Sequence, residues 1–314
     1  MKTPRIAITC GDPAGVGPEI VAEWALAHPR SAGHATLVGP ESWLATLAGR
    51  TKAALVAVGN ERFRAVPGRP SVAGARVALA ALEVAAQGCV DGDFDAVVTA
   101  PVSKEWIAKV SPGFVGHTEF FAERWGGEPT MMFAGGRLRM ALATWHVPLQ
   151  TVSRELTPEK LERAVRRADW LCRAEGIAAP RIAVCGINPH AGEHGLLGEE
   201  EERWMKPLLR RLRRSLPGVS EPLPGDTVFV RALKGEFDAT VAAYHDQGLA
   251  PLKAVDFDRS VNITLGLPHL RTSPDHGTAF GIAGQGRADG RSFAAAIRMA
   301  ERLARAQMRL GRVE

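Results

Sequence analysis

Between Ala243 and Arg271 the chain offers His245, Lys253, Asn262 and Arg271, separated by apolar or turn residues. An imidazole suits a borderline metal ion, while an amine, a carboxamide and a guanidinium suit phosphate or carboxylate oxygens. Together they would fit an anionic small molecule held on a metal. Two more histidines, His146 and His190, could complete a three-nitrogen ligand set with His245. Three neutral imidazoles leave a divalent ion its full charge and positions open for substrate oxygens, and such an ion can polarise a hydroxyl. The three lie far apart in sequence and no His-Glu-x-x-His occurs, so no metal-binding signature covers them. A solitary histidine is ordinarily a structural or surface residue, and spacing alone leaves both readings open.

The elements that would position these groups are short apolar runs alternating with helix-period segments. Strand-like runs are Arg5–Thr9, Ala35–Val38, Ala54–Val58, Asp95–Thr99, Met140–Thr144, Arg181–Cys185 and Ala239–Ala243. Helices are predicted at Ile20–Ala27, Val72–Ala86 and Pro158–Ala174. Strand runs without in/out alternation imply a sheet covered on both faces, hence mostly parallel α/β architecture. Closely spaced short strands around Gly126 to Gly136 break the rhythm and mark a second, partly antiparallel domain.

Five polar clusters fall where strand runs end. They are Gly11–Glu19, Ala100–Lys104, His146, Asn188–His190 and His245. Open α/β sheets bind ligands at that edge. Gly11–Glu19 lacks both Gly-x-x-x-x-Gly-Lys-Ser/Thr and Gly-x-Gly-x-x-Gly, so a tight strand-to-helix turn with Pro18 in the first helical turn is the better reading. His117-Thr-Glu119 opens a helix running to Trp125, with Thr118 as N-cap or as ligand contact. Thr272–Gly286 reads as a loop, either a mobile surface segment or one whose glycines let the backbone approach a dinucleotide.

A chain of 314 residues suffices for two modest domains or one large one. Hydrophobic residues at 46% and charged residues at 23% are ordinary for a globular protein. No apolar run is expected to approach the ~20 residues of a membrane span. The N-terminus enters a strand-like run at once, leaving no room for a signal peptide. Four dispersed cysteines read as reduced buried thiols, so cytoplasm is the expected compartment. The net charge of +5 favours anionic ligands, but much of it sits in two helix-like basic segments, Arg203–Arg214 and Arg298–Arg312. With no nucleic-acid module or aromatic interleaving, nucleic-acid binding is not expected.

Taken together, Gly11-Asp-Pro-Ala-Gly-Val-Gly-Pro-Glu19, Gly116-His-Thr-Glu-Phe120, Asn188-Pro-His-Ala-Gly-Glu193, Tyr244-His-Asp-Gln-Gly248 and Asp275-His-Gly-Thr-Ala279 resemble the 4-hydroxythreonine-4-phosphate dehydrogenase family of pyridoxal-phosphate biosynthesis. The resemblance runs from about Arg5 to about Arg305. It implies a divalent metal (zinc, magnesium or cobalt) on His146, His190 and His245, with ligands drawn from both subunits of a homodimer. It also implies substrate contacts from His117, Thr118, Lys253, Asn262 and Arg271. A fold similar to the isocitrate and isopropylmalate dehydrogenases follows: two α/β/α domains and an interdomain cleft. Residues 1–125 with 255–314 would form a discontinuous cofactor-side domain, and 126–254 a middle domain carrying the metal ligands and dimer contacts. NAD or NADP would be held by Asp275, His276, Gly277 and Thr278, without a Rossmann fingerprint. Two positions depart from the family pattern: Gly281 stands where many members carry Asp, and Ser103 where Asn or His is usual.

The implied reaction is oxidation and decarboxylation of 4-phosphooxy-L-threonine to 3-amino-2-oxopropyl phosphate. Lys253, Asp246 and Asp226 are the catalytic candidates, the two aspartates for proton transfer or for supporting a histidine. Threonate or erythronate 4-phosphate would meet the same groups. A phosphate-acyl transferase of related fold is the alternative from another class, and would need neither nicotinamide nor three histidines.

Overall fold

The computed structural model describes residues 3–256 and 259–312; the termini of the expected discontinuous domain, with Phe257 and Asp258, lie outside the described residues. Eleven strands are present among the described residues. In chain order they are β1 (Ile6–Thr9), β2 (Ala35–Gly39), β3 (Ala54–Ala57), β4 (Ala96–Thr99), β5 (Thr130–Ala134), β6 (Met140–Leu142), β7 (Ile182–Cys185), β8 (Val219–Leu223), β9 (Ala239–Ala242), β10 (Val261–Leu265) and β11 (Leu270–Pro274). The chain divides into two compact units, Met1–Pro129 with Leu267–Arg309, and Thr130–Gly266 with Leu310–Glu314.

The first unit has strand order β3-β2-β1-β4-β11, all parallel. Every residue of β1 and β4 is buried, as an apolar run covered on both faces requires. Leu82, Val97, Ile107, Phe120, Phe121 and Trp125 pack into one core cluster here. A long core helix, Val72–Val90, starts at Ser71, whose Oγ accepts the Gly74 N–H at 3.1 Å. That helix corrects the expectation about apolar runs: at 19 residues and mean hydropathy 1.3 it is long and apolar enough to cross a membrane. More than half of its most apolar window is nevertheless buried within the fold, and it packs on β1, β2 and β4.

The second unit has strand order β10-β5-β6-β9-β7-β8. β5 runs antiparallel to both neighbours, while β6, β9, β7 and β8 run parallel. Phe133, Met140, Leu142, Ala183, Val228 and Leu252 lie in its core. The helix Pro158–Ala174 has its predicted bounds: Thr157 accepts the Lys160 N–H at 3.3 Å and Pro158 takes the first turn.

Two local expectations are corrected. Thr118 does not cap its helix; Gly116 is the N-cap, with no side-chain bond, and the helix spans His117–Trp125. Thr272 to Pro274 belong to β11, so the loop begins only at Asp275.

Candidate active site

In the second unit, β6, β9 and β7 are consecutive parallel strands, and each runs out into one of the three candidate ligands. Thr144 ties the first two ends together: its N–H and its Oγ1 both donate to the Ala243 carbonyl, at 3.2 and 2.7 Å. Gln247 ties the last two, accepting from the Ala243 N–H at 2.7 Å and donating to the Gly186 carbonyl at 2.8 Å. The His146 and His245 rings come within 5.9 Å, centroid to centroid. Among the described residues of one chain, no group of three His, Cys, Asp or Glu side chains is assembled to hold a metal.

The donor chemistry fits a metal all the same. His245 Nδ1 lies 2.7 Å from Asp246 Oδ1, and His190 Nδ1 lies 3.1 Å from Glu193 Oε2. A carboxylate on Nδ1 fixes the tautomer that presents Nε2 as the ligand nitrogen. The backbone is also constrained, with φ of 49° at His146 and 52° at His190. Left-handed conformations at residues other than glycine cost on the order of 1–3 kcal/mol each and concentrate at functional sites. From His190 to His194 five successive residues hold this conformation.

Lys253 is exposed on the helix His245–Asp256, and Asn262 is half-buried on β10, opposite Phe133. Asp226 is exposed at the start of the helix Gly225–Leu233.

The first unit gathers Arg271, His117 and Thr118. Arg271, on β11, is 3% exposed and donates through Nε and Nη2 to Thr99 Oγ1 at 3.1 and 2.8 Å. Burial pushes its pKa down to about 9, with the Glu119 carboxylate opposing the shift, so it remains charged at neutral pH. His117 opens its helix with Nε2 buried and without a hydrogen-bond partner. Burial, then the positive charges of Arg271 and Lys104, hold its pKa well below the ordinary histidine value. A neutral imidazole and a guanidinium side by side can both donate to one anion. Lys104 ends one of the five polar clusters at strand ends but is not among the residues the motifs assign to the site.

This neutrality has a testable consequence. An unfolded His117 takes up a proton near pH 6.5 while the folded one does not. The unfolded state therefore binds more protons in acid, and stability contributed by this site is intact above pH 6.5 and lost as pH falls below it. His117→Gln should flatten the acid limb of a stability-versus-pH curve by about one proton, measured by urea denaturation between pH 7 and 5.

In the loop after β11, His276 Nδ1 lies 3.0 Å from the Gly277 carbonyl oxygen, and its Nε2 is buried without a partner. Thr278 packs on the turn after β1, accepting the Val16 N–H on its carbonyl at 2.9 Å. A Cβ at Gly281 would meet nothing within 4 Å, so packing does not demand glycine there. Ser103 has a structural duty: its Oγ accepts the Trp106 N–H at 3.4 Å and caps the helix Lys104–Ala108.

The family described as pyridoxal phosphate biosynthetic protein PdxA matches residues 27–300. A 4-hydroxythreonine-4-phosphate dehydrogenase from Thioalkalivibrio sulfidiphilus (strain HL-EbGR7) is 46% identical, over 96% of this chain and 98% of its own. A crystal structure of a protein with that name from Klebsiella pneumoniae superposes with TM-score 0.82 at 33% identity, covering 96% of this chain and 98% of that one. A beta-decarboxylating dehydrogenase from Thermococcus kodakarensis, 14% identical with TM-score 0.50, covers 98% of this chain and 89% of its own, and shares the fold alone.

Proposed function

The chain belongs to the pyridoxal phosphate biosynthetic protein PdxA family, and on that footing we propose that it oxidises 4-phosphooxy-L-threonine with NAD or NADP. The secondary hydroxyl becomes a ketone β to the carboxylate, and the keto acid loses carbon dioxide to give 3-amino-2-oxopropyl phosphate. The observation that carries this reading is the run of neighbouring strands β6, β9 and β7, each followed by one candidate histidine. A sheet of the isopropylmalate-dehydrogenase kind, expected with the family, accompanies it.

On this reading His146, His190 and His245 hold a divalent metal, drawn from both subunits of a homodimer. When bound, the cation supplies Lewis acidity and the nicotinamide a two-electron acceptor. Arg271 gives the substrate anion a directional, charged donor, His117 a neutral one, and Thr118 a hydroxyl. Lys253 and Asn262 complete the grip on phosphate or carboxylate, and Lys253 also stands as a candidate for proton transfer during the reaction. Asp246 orients His245, and Asp226 stands as the other candidate for moving a proton. Asp275, His276, Gly277 and Thr278 hold the cofactor, and the buried Nε2 of His276 supports that assignment. The discontinuous segment, 1–125 with 255–314, serves the cofactor, and 126–254 the metal and the dimer. Cytoplasm is the proposed compartment, supported by four free and buried cysteines; no membrane or nucleic-acid partner is invoked.

The test is a substrate panel on the purified full chain, with NAD and NADP, with and without chelator. Turnover of the amino-acid phosphate is expected, abolished by chelator and restored by added zinc, magnesium or cobalt. Faster turnover of threonate or erythronate 4-phosphate would reassign the substrate. Absence of any metal-dependent change in the NADH absorbance band, with every substrate, would remove the dehydrogenase reading.

A further inference from the structure

We propose that Glu201 is the positioning residue that shapes the left-handed turn carrying His190, acting through Asn188; the inference rests on the reading of His190 as a metal ligand. Glu201 is fully buried, at 0% exposure, and opens a single π-helical turn, Glu201–Met205. Such turns cluster at functional sites. Its Oε1 accepts the Asn188 backbone N–H at 2.8 Å, and its Oε2 accepts the Asn188 carboxamide Nδ2 at 2.9 Å. The same Nδ2 also donates to Glu200 Oε2 at 2.8 Å, and Glu200 Oε1 accepts from Ser153 Oγ at 2.7 Å. Asn188 is thus clamped by two carboxylates two residues before His190. Its own carbonyl accepts the Ala191 N–H at 3.1 Å, which closes the first step of the turn.

The fit between turn and carboxylate is close. At Gly192, φ 81°, a Cβ would stand 2.7 Å from Glu201 Oε2 and 3.0 Å from the Gly198 carbonyl oxygen. At Gly198, φ 132°, a Cβ would enter the Asn188 carboxamide at 2.3 to 2.8 Å. Neither glycine can gain a side chain without displacing the clamp. A buried carboxylate is a poor way merely to fill space, because its desolvation must be matched by hydrogen bonds. Here those bonds all converge on the residue that launches the His190 turn.

The experiment measures zinc affinity of the full-length protein by competition with a chromogenic chelator, with the melting temperature of the zinc-free protein recorded alongside. Glu201→Gln offers one acceptor oxygen where glutamate offers two, and aims an NH2 at donors. It should weaken zinc binding by about 10–100-fold. In a His190→Ala background the same change should cost nothing further, because its route to the metal is already gone. Asn188→Ser keeps the backbone bond and loses the carboxamide bonds; it should shift affinity in the same direction, and it carries the test if Glu201→Gln does not fold. Parent-like zinc affinity in the folded variants would overturn the proposal. So would losses that simply multiply with that of His190→Ala, the pattern of a residue that only supports the fold. A His190→Ala protein that binds zinc as tightly as the parent would instead refute the ligand assignment, and this inference with it.

Discussion

His190→Ala should lower metal-dependent kcat/KM by roughly three orders of magnitude while leaving far-UV dichroism and melting temperature close to those of the parent. The His190 side chain is 64% exposed, so its removal opens no cavity and forfeits little packing. The lost Nδ1 contact is to Glu193, itself half-exposed, and exposed pairs of this kind contribute little to stability. What the substitution removes is one of the nitrogens proposed to hold the cation. Lewis-acid stabilisation of developing oxygen charge is worth several kcal/mol, and each ~1.4 kcal/mol is a factor of ten in rate. Steady-state assays in metal-defined buffer give the answer. Undiminished turnover there would dismiss His190 as a ligand.

Arg271→Lys should raise KM for the phosphorylated substrate by roughly 10–100-fold, the equivalent of one charge-assisted hydrogen bond, with a smaller effect on kcat. Charge is conserved in this change, so electrostatics alone predicts little. Geometry predicts much. Arg271 spends Nε and Nη2 on Thr99 and is thereby locked in orientation inside the first unit. Lysine brings a flexible, strongly hydrated point charge that cannot hold Thr99 and face an anion at once. A KM unchanged by Arg271→Lys would place the substrate anion elsewhere.

Much of the fold was legible because its central strands are unbroken apolar runs. β1, β4, β7 and β9 are buried at every residue, and hydropathy alone finds them. β8, β10 and β11 escaped because polar residues interrupt them: Val-Ser-Glu-Pro-Leu tolerates Pro222 as an edge strand, Val-Asn-Ile-Thr-Leu carries Asn262 and Thr264, and Leu-Arg-Thr-Ser-Pro buries Arg271 in the fold. The family expected from the motifs is found, with an α/β fold shared with a beta-decarboxylating dehydrogenase. The neighbourhood of β6, β9 and β7 was not readable, since strand order is set by crossovers that no local pattern encodes. Nor was Glu201. In the run Glu199-Glu-Glu-Glu202 a carboxylate reads as solvated surface, and only the folded chain takes one of the four fully inside. The strand-end rule located His146, His190 and His245 but could not say how their backbones bend. The left-handed backbone at His146 and His190 is not one that histidine's own preferences supply.

The placement of β9 has a consequence for biosynthesis. It lies between β6 and β7 although it is translated after both, nearly a hundred residues later than β6. A nascent chain that has not yet delivered Ala239–Ala242 therefore holds two strands whose shared partner is missing, with open edges facing a gap. Long-range insertion of this sort is slow to nucleate and leaves sticky edges in the interim. A ribosome that stalls within the preceding hundred residues should therefore release fragments prone to aggregate, because the two-sided pairing of β6 and β7 waits for Ala239–Ala242.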